Sequence, residues 1–409
     1  MRLLVVSEWF PYPPIAGAKI RAYNLIRQLV RLAELDLVAQ VRTLTPEQLA
    51  VGKDHLGQFC RTVEAVPVIP YQYSIGKALR TLVDPVPPVV RYMRNRPLEQ
   101  VVMAKWRQGY DAAVATISGC PSAVLRSLVA LGVRPLVADS LELGVLRPKS
   151  QGLSMRGVRS TVTWWHMRRF TRRILRDVDV ATVTSDAERE LFNDLLYDPD
   201  QCVVMPNVLD MRDYDGQYGP RDYNALLYAG SFGYIANYEA MQWFTKEVFG
   251  HIAGHENLRV RVTGNTSGRD LTPLRQACPQ IEFTGFVDDI RPYFAESSVC
   301  IVPILSGGST RLKILEAMAF GTPVVSTSTG AEGLEVKHEE NILLADTPAD
   351  FARQIERLTS DRKLWTHLSL AGRNLVEERY SVDRMYNQLA HLLAALRSHR
   401  SQLDGRSAT

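Results

Sequence analysis

The sequence predicts an α/β protein made of two doubly wound domains in tandem, and three observations support this. The chain has 409 residues, of which 46% are hydrophobic, and its mean hydropathy is −0.11. That is enough apolar material for more than one core, because single cores stop growing near ~250–300 residues. Short β-rich apolar runs alternate with longer segments of helical period, which is typical of parallel sheets covered by helices. The alternation stops near Pro206 and then restarts, so two domains are expected.

The elements follow one another in the same way in both halves. In the first half, residues 3–6 are predicted as a strand and 20–32 as a helix, with further strands at 112–116, 136–138 and 180–184. In the second half, strands are predicted at 225–229, 258–263, 281–283, 299–302 and 323–326. Residues 207–222 are polar and aperiodic and contain Gly and Pro, which indicates a linker. The expected organisation is therefore a first domain at 1–206, a linker at 207–222, a second domain at 223–380, a helix at 381–400 that can pack back on the first domain, and a tail at 401–409.

Charge is divided unevenly between the halves. Residues 1–206 contain 27 Lys and Arg against 19 Asp and Glu, whereas residues 207–409 contain 21 against 25. This asymmetry favours the first half as the part that faces an anionic partner. The five cysteines are scattered without a C-x-x-C pair, which indicates buried thiols in a reducing compartment. The amino terminus lacks the apolar core of a secretion signal and no apolar run reaches ~18 residues, so a cytoplasmic location is expected.

One strand-to-helix loop has the residues that suit a phosphorylated ligand. Residues 299–327 read VCIVPILSGGSTRLKILEAMAFGTPVVST: a buried strand, a Gly-Gly turn, a helix closed by Gly321, and another strand. Gly307 and Gly308 permit close approach of the backbone, and Ser309 or Thr310 is predicted to cap the helix. Unsatisfied N–H groups and the helix dipole at such a position favour an anion, best of all a phosphate.

A helical wheel places Ser309, Lys313 and Glu316 on one face of this helix. The apolar residues, which pack the helix on the sheet, lie on another face: Leu312, Leu315 and Ala319. Glu316 lies ~10 Å along the axis from Ser309, a reach that suits a carboxylate accepting both ribose hydroxyls while the loop holds a diphosphate. Lys313 is expected between them as a charge partner. The alternative is a capped amphipathic helix with an ordinary Lys313–Glu316 surface pair.

Five stretches of the sequence are similar to motifs of one known family. The phrase GGSTRLKILEAMAFGTPVVST is similar to a donor-site motif, and TGFVDDIRPYFAESSVCIVP matches the segment that precedes it. Further matches are PYPPIAGAKIRAYNLIRQL, VMPNVLD and LYAGSFGYIANYEAMQWF. In this order and over most of its length, the chain resembles the retaining glycosyltransferases of the GT-B fold, family 4, also called the group 1 glycosyltransferases. The match is specific in the second domain and looser in the first.

The resemblance implies two Rossmann-like domains that face a cleft, with the nucleotide sugar on the second domain, the acceptor on the first, and transfer without an essential metal or other cofactor. It implies Glu316 as the ribose ligand. It also implies that Gly17 approaches the diphosphate from the first domain. The remaining donor contacts come from the Gly-rich loop and from two loops beside the sheet: Gly307, Gly308, Ser309, Thr310, Gly230, Gly285 and Val287.

Within the donor site, two positions depart from the family pattern. The first of the two usual glutamates, eight positions before Glu316, is Gly308 here. The usual Arg and Lys that open the second domain are Ser231 and Asn237. Neutralisation of the diphosphate is therefore expected from Arg311 and Lys313, which join Glu316 as the candidate catalytic residues.

The first domain also departs from the pattern. The usual histidine after a late strand has no counterpart in LVADSLELGV, where Asp139 or Glu142 is the candidate acceptor-side residue. An Asp-Val-Asp at 177–179 is read as a turn before a strand rather than as a metal site.

A helix rich in arginine is predicted at 164–176, reading WWHMRRFTRRILR. Five arginines share one face, which favours contact with an anionic membrane surface or a polyprenyl-linked acceptor. They are Arg168, Arg169, Arg172, Arg173 and Arg176. The alternative is a solvated helix face; nucleic acid is not expected, because no recognised nucleic-acid motif accompanies the charge.

The sequence thus predicts a cytoplasmic retaining hexosyltransferase, peripheral on the inner face of the cell membrane, that acts in polysaccharide or glycoconjugate assembly. It moves a sugar from a nucleotide-diphosphate sugar to a saccharide or lipid-linked acceptor. Two alternatives remain: a nucleotide-sugar 2-epimerase on the same fold, and a non-catalytic module that binds nucleotide sugars.

Overall fold

The computed structural model describes residues 1–15, 17–68, 95–117, 119, 122–146, 155–196, 198–216, 218–252, 254–306 and 310–406. They divide into two compact units. The first comprises Met1–Pro206 and Met385–Thr409, and the second comprises Asn207–Arg384. Each unit contains one sheet of parallel strands with helices between them. The predicted fold class, two doubly wound Rossmann-like domains, is confirmed.

The sheet of the first unit has the strand order β3-β2-β1-β4-β5-β6-β7. Its strands are β1 (Arg2–Ser7), β2 (Glu34–Val41), β3 (Thr62–Pro67), β4 (Ala112–Thr116), β5 (Leu136–Asp139), β6 (Val180–Val183) and β7 (Cys202–Val204). The helices between them are α1 (Gly17–Leu29), α2 (Pro46–Gly57), α3 (Arg96–Trp106), α4 (Ala123–Ala130), α5 (Met155–Leu175) and α6 (Asp186–Leu196). The central strands β1 and β4 are mostly apolar and almost wholly buried, as is typical of parallel strands covered on both faces.

Asp36 is a carboxylate that is buried inside β2. It accepts hydrogen bonds from the hydroxyls of Thr62 (2.5 Å) and Tyr110 (2.7 Å), and it pairs with Arg61 and, at 3.3 Å, with Arg2. Burial raises the pKa of this carboxyl, but these bonds outweigh it and lower the pKa to about 2. Asp36 therefore joins strands and loops that are far apart in the sequence.

The sheet of the second unit has the strand order β10-β9-β8-β11-β12-β13. Its strands are β8 (Asp222–Ala229), β9 (Arg259–Thr263), β10 (Ile281–Gly285), β11 (Ser297–Val302), β12 (Val324–Ser326) and β13 (Leu343–Leu344). The helices are α7 (Ile235–Trp243), α8 (Thr272–Ala277), α9 (Arg291–Glu296), α10 (Leu312–Ala319), α11 (Pro348–Ser360) and α12 (Arg362–Arg379). Residues 207–221, which precede β8, include a 3₁₀ helix at Met211–Tyr214 and belong to this unit.

The chain passes between the units twice, and the two passages are hydrogen-bonded to each other. The N–H of Leu209 donates to the carbonyl of Tyr380 (2.8 Å), and the N–H of Val382 donates to that of Leu209 (3.1 Å). The last helix, α13 (Val382–Arg406), then packs in the first unit, where Gln388 donates to the carbonyl of Val204 at 2.9 Å. The prediction of a tail from residue 401 was wrong, because α13 continues to Arg406.

Among the described residues, no helix combines the length and the apolar character that crossing a bilayer requires. Four cysteines are described, and all are free thiols buried in the units: Cys60, Cys202, Cys278 and Cys300. Burial raises the pKa of each of these thiols to about 12, which leaves them protonated and unreactive.

Candidate functional site

The second sheet reverses its direction of winding between β8 and β11. In an open parallel sheet, ligands bind at the carboxyl ends of the strands beside such a reversal. The loop after β11 contains the Gly-Gly turn, and its helix α10 follows. On the other side of the reversal, β8, β9 and β10 each end at or just before a glycine: Gly230, Gly264 and Gly285.

These three glycines form a surface of bare backbone. Gly230 donates to the carbonyl of Thr263 and Gly264 donates to the carbonyl of Gly285, each at 2.9 Å. Gly264 has φ +122°, and a Cβ built there would lie 2.7 Å from the carbonyl carbon of Gly230, so only glycine fits. The sequence-based prediction missed Gly264, although a glycine directly after a strand is a recognised sign of close backbone approach.

The loop after β8 is neutral and internally hydrogen-bonded. The hydroxyl of Ser231 donates to the carbonyl of Asn265 (3.1 Å), and the amide of Asn237 donates to the carbonyl of Ser231 (2.8 Å). Tyr228, buried in β8, donates its hydroxyl to Oδ1 of Asn237 at 2.8 Å. Ser231 and Asn237 thus fix the shape of this loop and bring no charge to it.

Lys313 brings a cation to that neutral loop from α10. Its ammonium donates to Oδ1 of Asn237 (3.3 Å) and lies 4.3 Å from the centroid of the Tyr228 ring. A Cβ built on Gly230 would lie 2.9 Å from the Lys313 nitrogen. Burial lowers the pKa of Lys313 to about 7. The side chain of Lys313 is thus directed to the loop after β8. Its expected place between Glu316 and the Gly-rich loop stays a prediction, because residues 307–309 lie outside the described residues.

Glu316 lies on the same helix, half-buried. The hydroxyl of Tyr214, from the 3₁₀ helix that precedes β8, donates to its Oε1 at 3.4 Å. Burial raises the pKa of Glu316 to about 7, and the contacts with Tyr214 and Lys313 partly oppose this rise. Lys313 and Glu316 do not form an ordinary surface pair, because both are half-buried and each is hydrogen-bonded to another residue, Lys313 to Asn237 and Glu316 to Tyr214.

The start of α10 differs from the prediction. The helix begins at Leu312, Arg311 is the residue before it, and the hydroxyl of Thr310 accepts a hydrogen bond from the amide of Asn207 at 2.8 Å. Thr310 therefore does not cap the helix. The remaining loop residues, Gly307, Gly308 and Ser309, lie outside the described residues. The predicted apolar face is confirmed, because Leu312, Leu315 and Ala319 are buried.

The loop after β10 borders the same edge of the sheet. Gly285 has φ +71°, Val287 is half-buried, and Phe286 between them is 58% exposed. A large exposed aromatic ring at this edge offers a flat apolar face to a ligand.

In the first unit, Asp139 ends β5 and is 1% exposed. Arg21 of α1 donates to both of its carboxylate oxygens, at 2.7 and 3.1 Å, and the hydroxyl of Thr182 donates at 2.7 Å. Arg21 also donates to the carbonyl of Met205 at 2.9 Å. Asp139 thus belongs to an internal ion pair, which leaves its carboxylate no room for the acceptor contact that we expected. Glu142, three residues further on, is half-buried.

Gly17 is exposed and is the first residue of α1, so this helix starts three residues before the predicted position. Its expected approach to the diphosphate stays a prediction.

In the arginine-rich helix α5, Arg168 forms an ion pair with the neighbouring helix α6. Arg168 donates to Asp194 at 2.6 Å and lies 5.6 Å from the Trp164 ring, and its side chain is 26% exposed. Trp165 is 51% exposed, and Arg169 lies 5.5 Å from its ring. The other arginines of this face are exposed: Arg172, Arg173 and Arg176. The neighbouring Asp179 accepts from Arg134 and from the N–H of Leu136.

The part of the second unit that forms the glycine surface and α10 matches a known family. Residues 223–361 match the glycosyl transferases of group 1. Residues 230–316, the site described above, lie within this match. The neutral loop, Lys313 and Glu316 thus lie in the part of the chain that is similar to this family.

Curated relatives match shorter stretches of the chain. The lipopolysaccharide core biosynthesis glycosyltransferase LpsE of Rhizobium meliloti is 32% identical over 120 residues, which cover 28% of this chain and 34% of LpsE. The D-inositol 3-phosphate glycosyltransferase of Streptomyces bingchenggensis is 29% identical over 134 residues, which cover 32% of this chain and 28% of that protein. The chain thus spans about a third of these relatives.

Solved structures match over nearly the whole chain. HepE of Anabaena in complex with UDP-glucose has a TM-score of 0.68 at 16% identity and covers 97% of this chain and 100% of its own. A variant of S. aureus TarM in complex with UDP, fondaparinux and alpha-GlcNAc-glycerol has a TM-score of 0.68 at 8% identity, with 96% and 99% covered. At these identities the likeness shows the fold, which is that of the GT-B glycosyltransferases.

Proposed function

We propose that this chain is a retaining glycosyltransferase that moves a hexose from a nucleotide-diphosphate sugar to a saccharide or lipid-linked acceptor in polysaccharide or glycoconjugate assembly. The observation that carries this proposal is the pair formed by Lys313 and Glu316 at the winding reversal of the second sheet. A carboxylate and an ammonium on one helix, beside a surface of bare backbone, match the ribose and the diphosphate of such a donor.

The reaction follows from these groups. The bond between the sugar anomeric carbon and the diphosphate oxygen breaks, and a bond to the acceptor hydroxyl oxygen forms on the same face. The hydroxyl proton passes to a phosphate oxygen. Negative charge grows on the departing diphosphate, where Lys313, Arg311 and the backbone N–H groups stabilise it more than in the ground state. The cations needed for this are in the chain itself, so we propose that no metal is required.

The test is a binding series with UDP, UDP-glucose and other nucleotide sugars, read by thermal unfolding. A ligand at 100 times its dissociation constant stabilises the folded state by about 2.7 kcal/mol. We expect Glu316→Ala to lose most of this stabilisation, whereas Glu340→Ala, which removes an exposed carboxylate of the same unit, keeps it. If no nucleotide stabilises the protein, or if Glu316→Ala responds like the parent, the assignment of the site is wrong.

Transfer itself separates an enzyme from a module that only binds. With a binding nucleotide sugar and a panel of saccharide and polyprenyl-linked acceptors, we expect a product whose anomeric configuration, read by proton NMR, equals that of the donor. An inverted product would overturn the retaining mechanism. If the donor sugar is epimerised when no acceptor is present, a 2-epimerase is favoured instead.

We further propose that the exposed arginines of α5 contact the anionic inner face of the cell membrane from the cytoplasm, or an anionic lipid-linked acceptor within it. An exposed indole beside several guanidinium groups suits the boundary between headgroups and acyl chains. Sedimentation with vesicles tests this. We expect binding to phosphatidylglycerol vesicles and little to phosphatidylcholine, with loss of binding in a Trp165→Ala, Arg169→Gln, Arg173→Gln variant.

The control for the vesicle experiment is Arg189→Gln, which removes an exposed arginine of α6 that pairs with Asp186. If the triple variant and this control sediment equally with the anionic vesicles, the proposed contact with a membrane surface is wrong.

A further inference from the structure

The segment between the first unit and β8 contacts α10 at one end and Thr310, shortly before α10, at the other. We call residues 207–214 the crossing segment. Asn207 and Tyr214 are both buried, at opposite ends of this segment. Between them, Leu209 is hydrogen-bonded to the backbone at Tyr380 and Val382. The crossing segment is therefore a fixed part of the second unit.

The first contact lies just before α10. The amide of Asn207 donates to the hydroxyl of Thr310 at 2.8 Å, and both side chains are buried. Thr310 is the first described residue after the Gly-Gly turn. A hydrogen bond at this point fixes where the loop ends and where α10 begins.

The second contact lies one turn and a half further along. The hydroxyl of Tyr214 donates to Oε1 of Glu316, and the Tyr214 ring packs on Phe320 with centroids 4.9 Å apart. The distance of 3.4 Å is long for a hydroxyl and a carboxylate, and such bonds commonly shorten when a ligand binds. Because the hydroxyl donates to Oε1, it sets the rotation of the carboxylate that would face a ribose.

We propose that Asn207 and Tyr214 are positioning residues, which hold Thr310 and Glu316 in the arrangement that binds a nucleoside diphosphate. This inference rests on the proposed function. Neither residue is expected to touch the ligand's reacting atoms. Each acts through a residue of the donor loop or donor helix.

Tyr214 also affects the charge of Glu316. The hydrogen bond favours the ionised carboxylate, so its loss allows burial to raise the pKa of Glu316 further. The other groups that act on Glu316 or Tyr214 are Lys313 of α10, Arg291 of α9 and Asp213 beside Tyr214. The thiol of Cys300 in β11 is protonated and contributes no charge.

The experiment is titration calorimetry of the full chain with UDP between pH 6 and 8.5. Tyr214→Phe keeps the ring on Phe320 and removes only the hydroxyl. We expect it to weaken UDP binding roughly three- to tenfold and to move the acid-side loss of affinity to higher pH. The matched control is Tyr218→Phe, because Tyr218 packs on the same Phe320 ring, at 5.2 Å, without reaching Glu316.

Asn207→Ala is expected to weaken UDP binding by a similar factor without moving the acid-side loss. Thr310→Val removes the other partner, and the double variant should then be no weaker than either single variant. Thr310→Val serves alone if Asn207→Ala fails to fold. Additive losses in the double variant would overturn the role of Asn207.

The outcomes separate the inference from the proposed function. If the parent binds no nucleoside diphosphate, both fall. The proposed function stands if the parent binds UDP and Glu316→Ala weakens that binding. If Tyr214→Phe then has the same UDP affinity and pH profile as Tyr218→Phe, Tyr214 has only a structural role. A lower thermal midpoint in both tyrosine variants, with unchanged pH profiles, likewise assigns Tyr214 a structural role alone.

Discussion

Binding of a nucleotide sugar should exchange protons with the solvent, and the sign of the exchange should reverse with pH. Burial lowers the pKa of Lys313 to about 7, so at pH 8 about 90% of this group is neutral, one unit above its pKa. A diphosphate beside the nitrogen favours the ammonium. Binding at pH 8 is therefore expected to take up close to one proton.

At pH 6 the second group dominates. Burial raises the pKa of Glu316 to about 7, so about 90% of this carboxyl is protonated there. Ribose hydroxyls donate to the ionised form, and binding at pH 6 is expected to release close to one proton. Near pH 7 the two effects largely cancel. For each unit by which the bound diphosphate raises the pKa of Lys313, the free energy of binding at alkaline pH becomes about 1.4 kcal/mol more favourable.

The assay is titration calorimetry with UDP-glucose in buffers of different ionisation enthalpy, because a diphosphate diester does not itself titrate in this range. The slope of observed enthalpy against buffer enthalpy gives the number of protons. Lys313→Met should abolish the uptake at pH 8, and Glu316→Gln the release at pH 6. Uptake at pH 8 that persists in Lys313→Met, or no exchange in the parent at either pH, would refute this reasoning.

Three further predictions concern the backbone surface, the first unit and metals. Gly264→Ala should lower the thermal midpoint and abolish UDP binding, at a cost of about 1–3 kcal/mol for a strained backbone plus the clash with Gly230. Gly268→Ala, also at positive φ (+69°) but with open space around it, should keep UDP binding. For Asp36, the folded pKa lies below the usual value of 3.8, so its stabilisation is present above pH 4 and disappears as pH falls through about 2. Asp36→Asn should therefore cost about 2 kcal/mol at pH 7 in chemical unfolding, and little near pH 2. Finally, transfer measured after EDTA treatment should equal that of the untreated protein; restoration by added Mg²⁺ or Mn²⁺ would contradict the metal-free mechanism.

The sequence alone was sufficient for the fold class and for the strands that are buried on both faces. These strands read as continuous apolar runs, as 299–302 does within β11. It failed for β2, where Asp36 interrupts the apolar run. That carboxylate is tolerated because Arg61, Thr62 and Tyr110 reach it from other parts of the chain, and no local pattern reveals such partners. The two-residue strand β13 is too short to have a period at all.

The site was predicted in part for a similar reason. Helical spacing correctly placed Leu312 and Leu315 against the sheet. The direction of the Lys313 side chain depends on Tyr228 and Asn237, which lie on β8 and α7, and a wheel drawn for one helix contains neither. Tyr214 and Asn207 were missed because the crossing segment was interpreted as an aperiodic linker, whereas these two side chains are buried and contact Glu316 and Thr310.

The paired passages at Leu209 and Ser381 have a consequence for how this chain can be engineered. The second unit is a continuous insertion between β7 and the body of α13, and its two ends lie side by side on a backbone bridge. A domain whose ends meet can be removed and replaced by a short turn, or transplanted whole into another host, without stretching either partner. The second unit could therefore be exchanged for that of a related protein by cutting at two neighbouring positions, while the first unit keeps its own terminal helix.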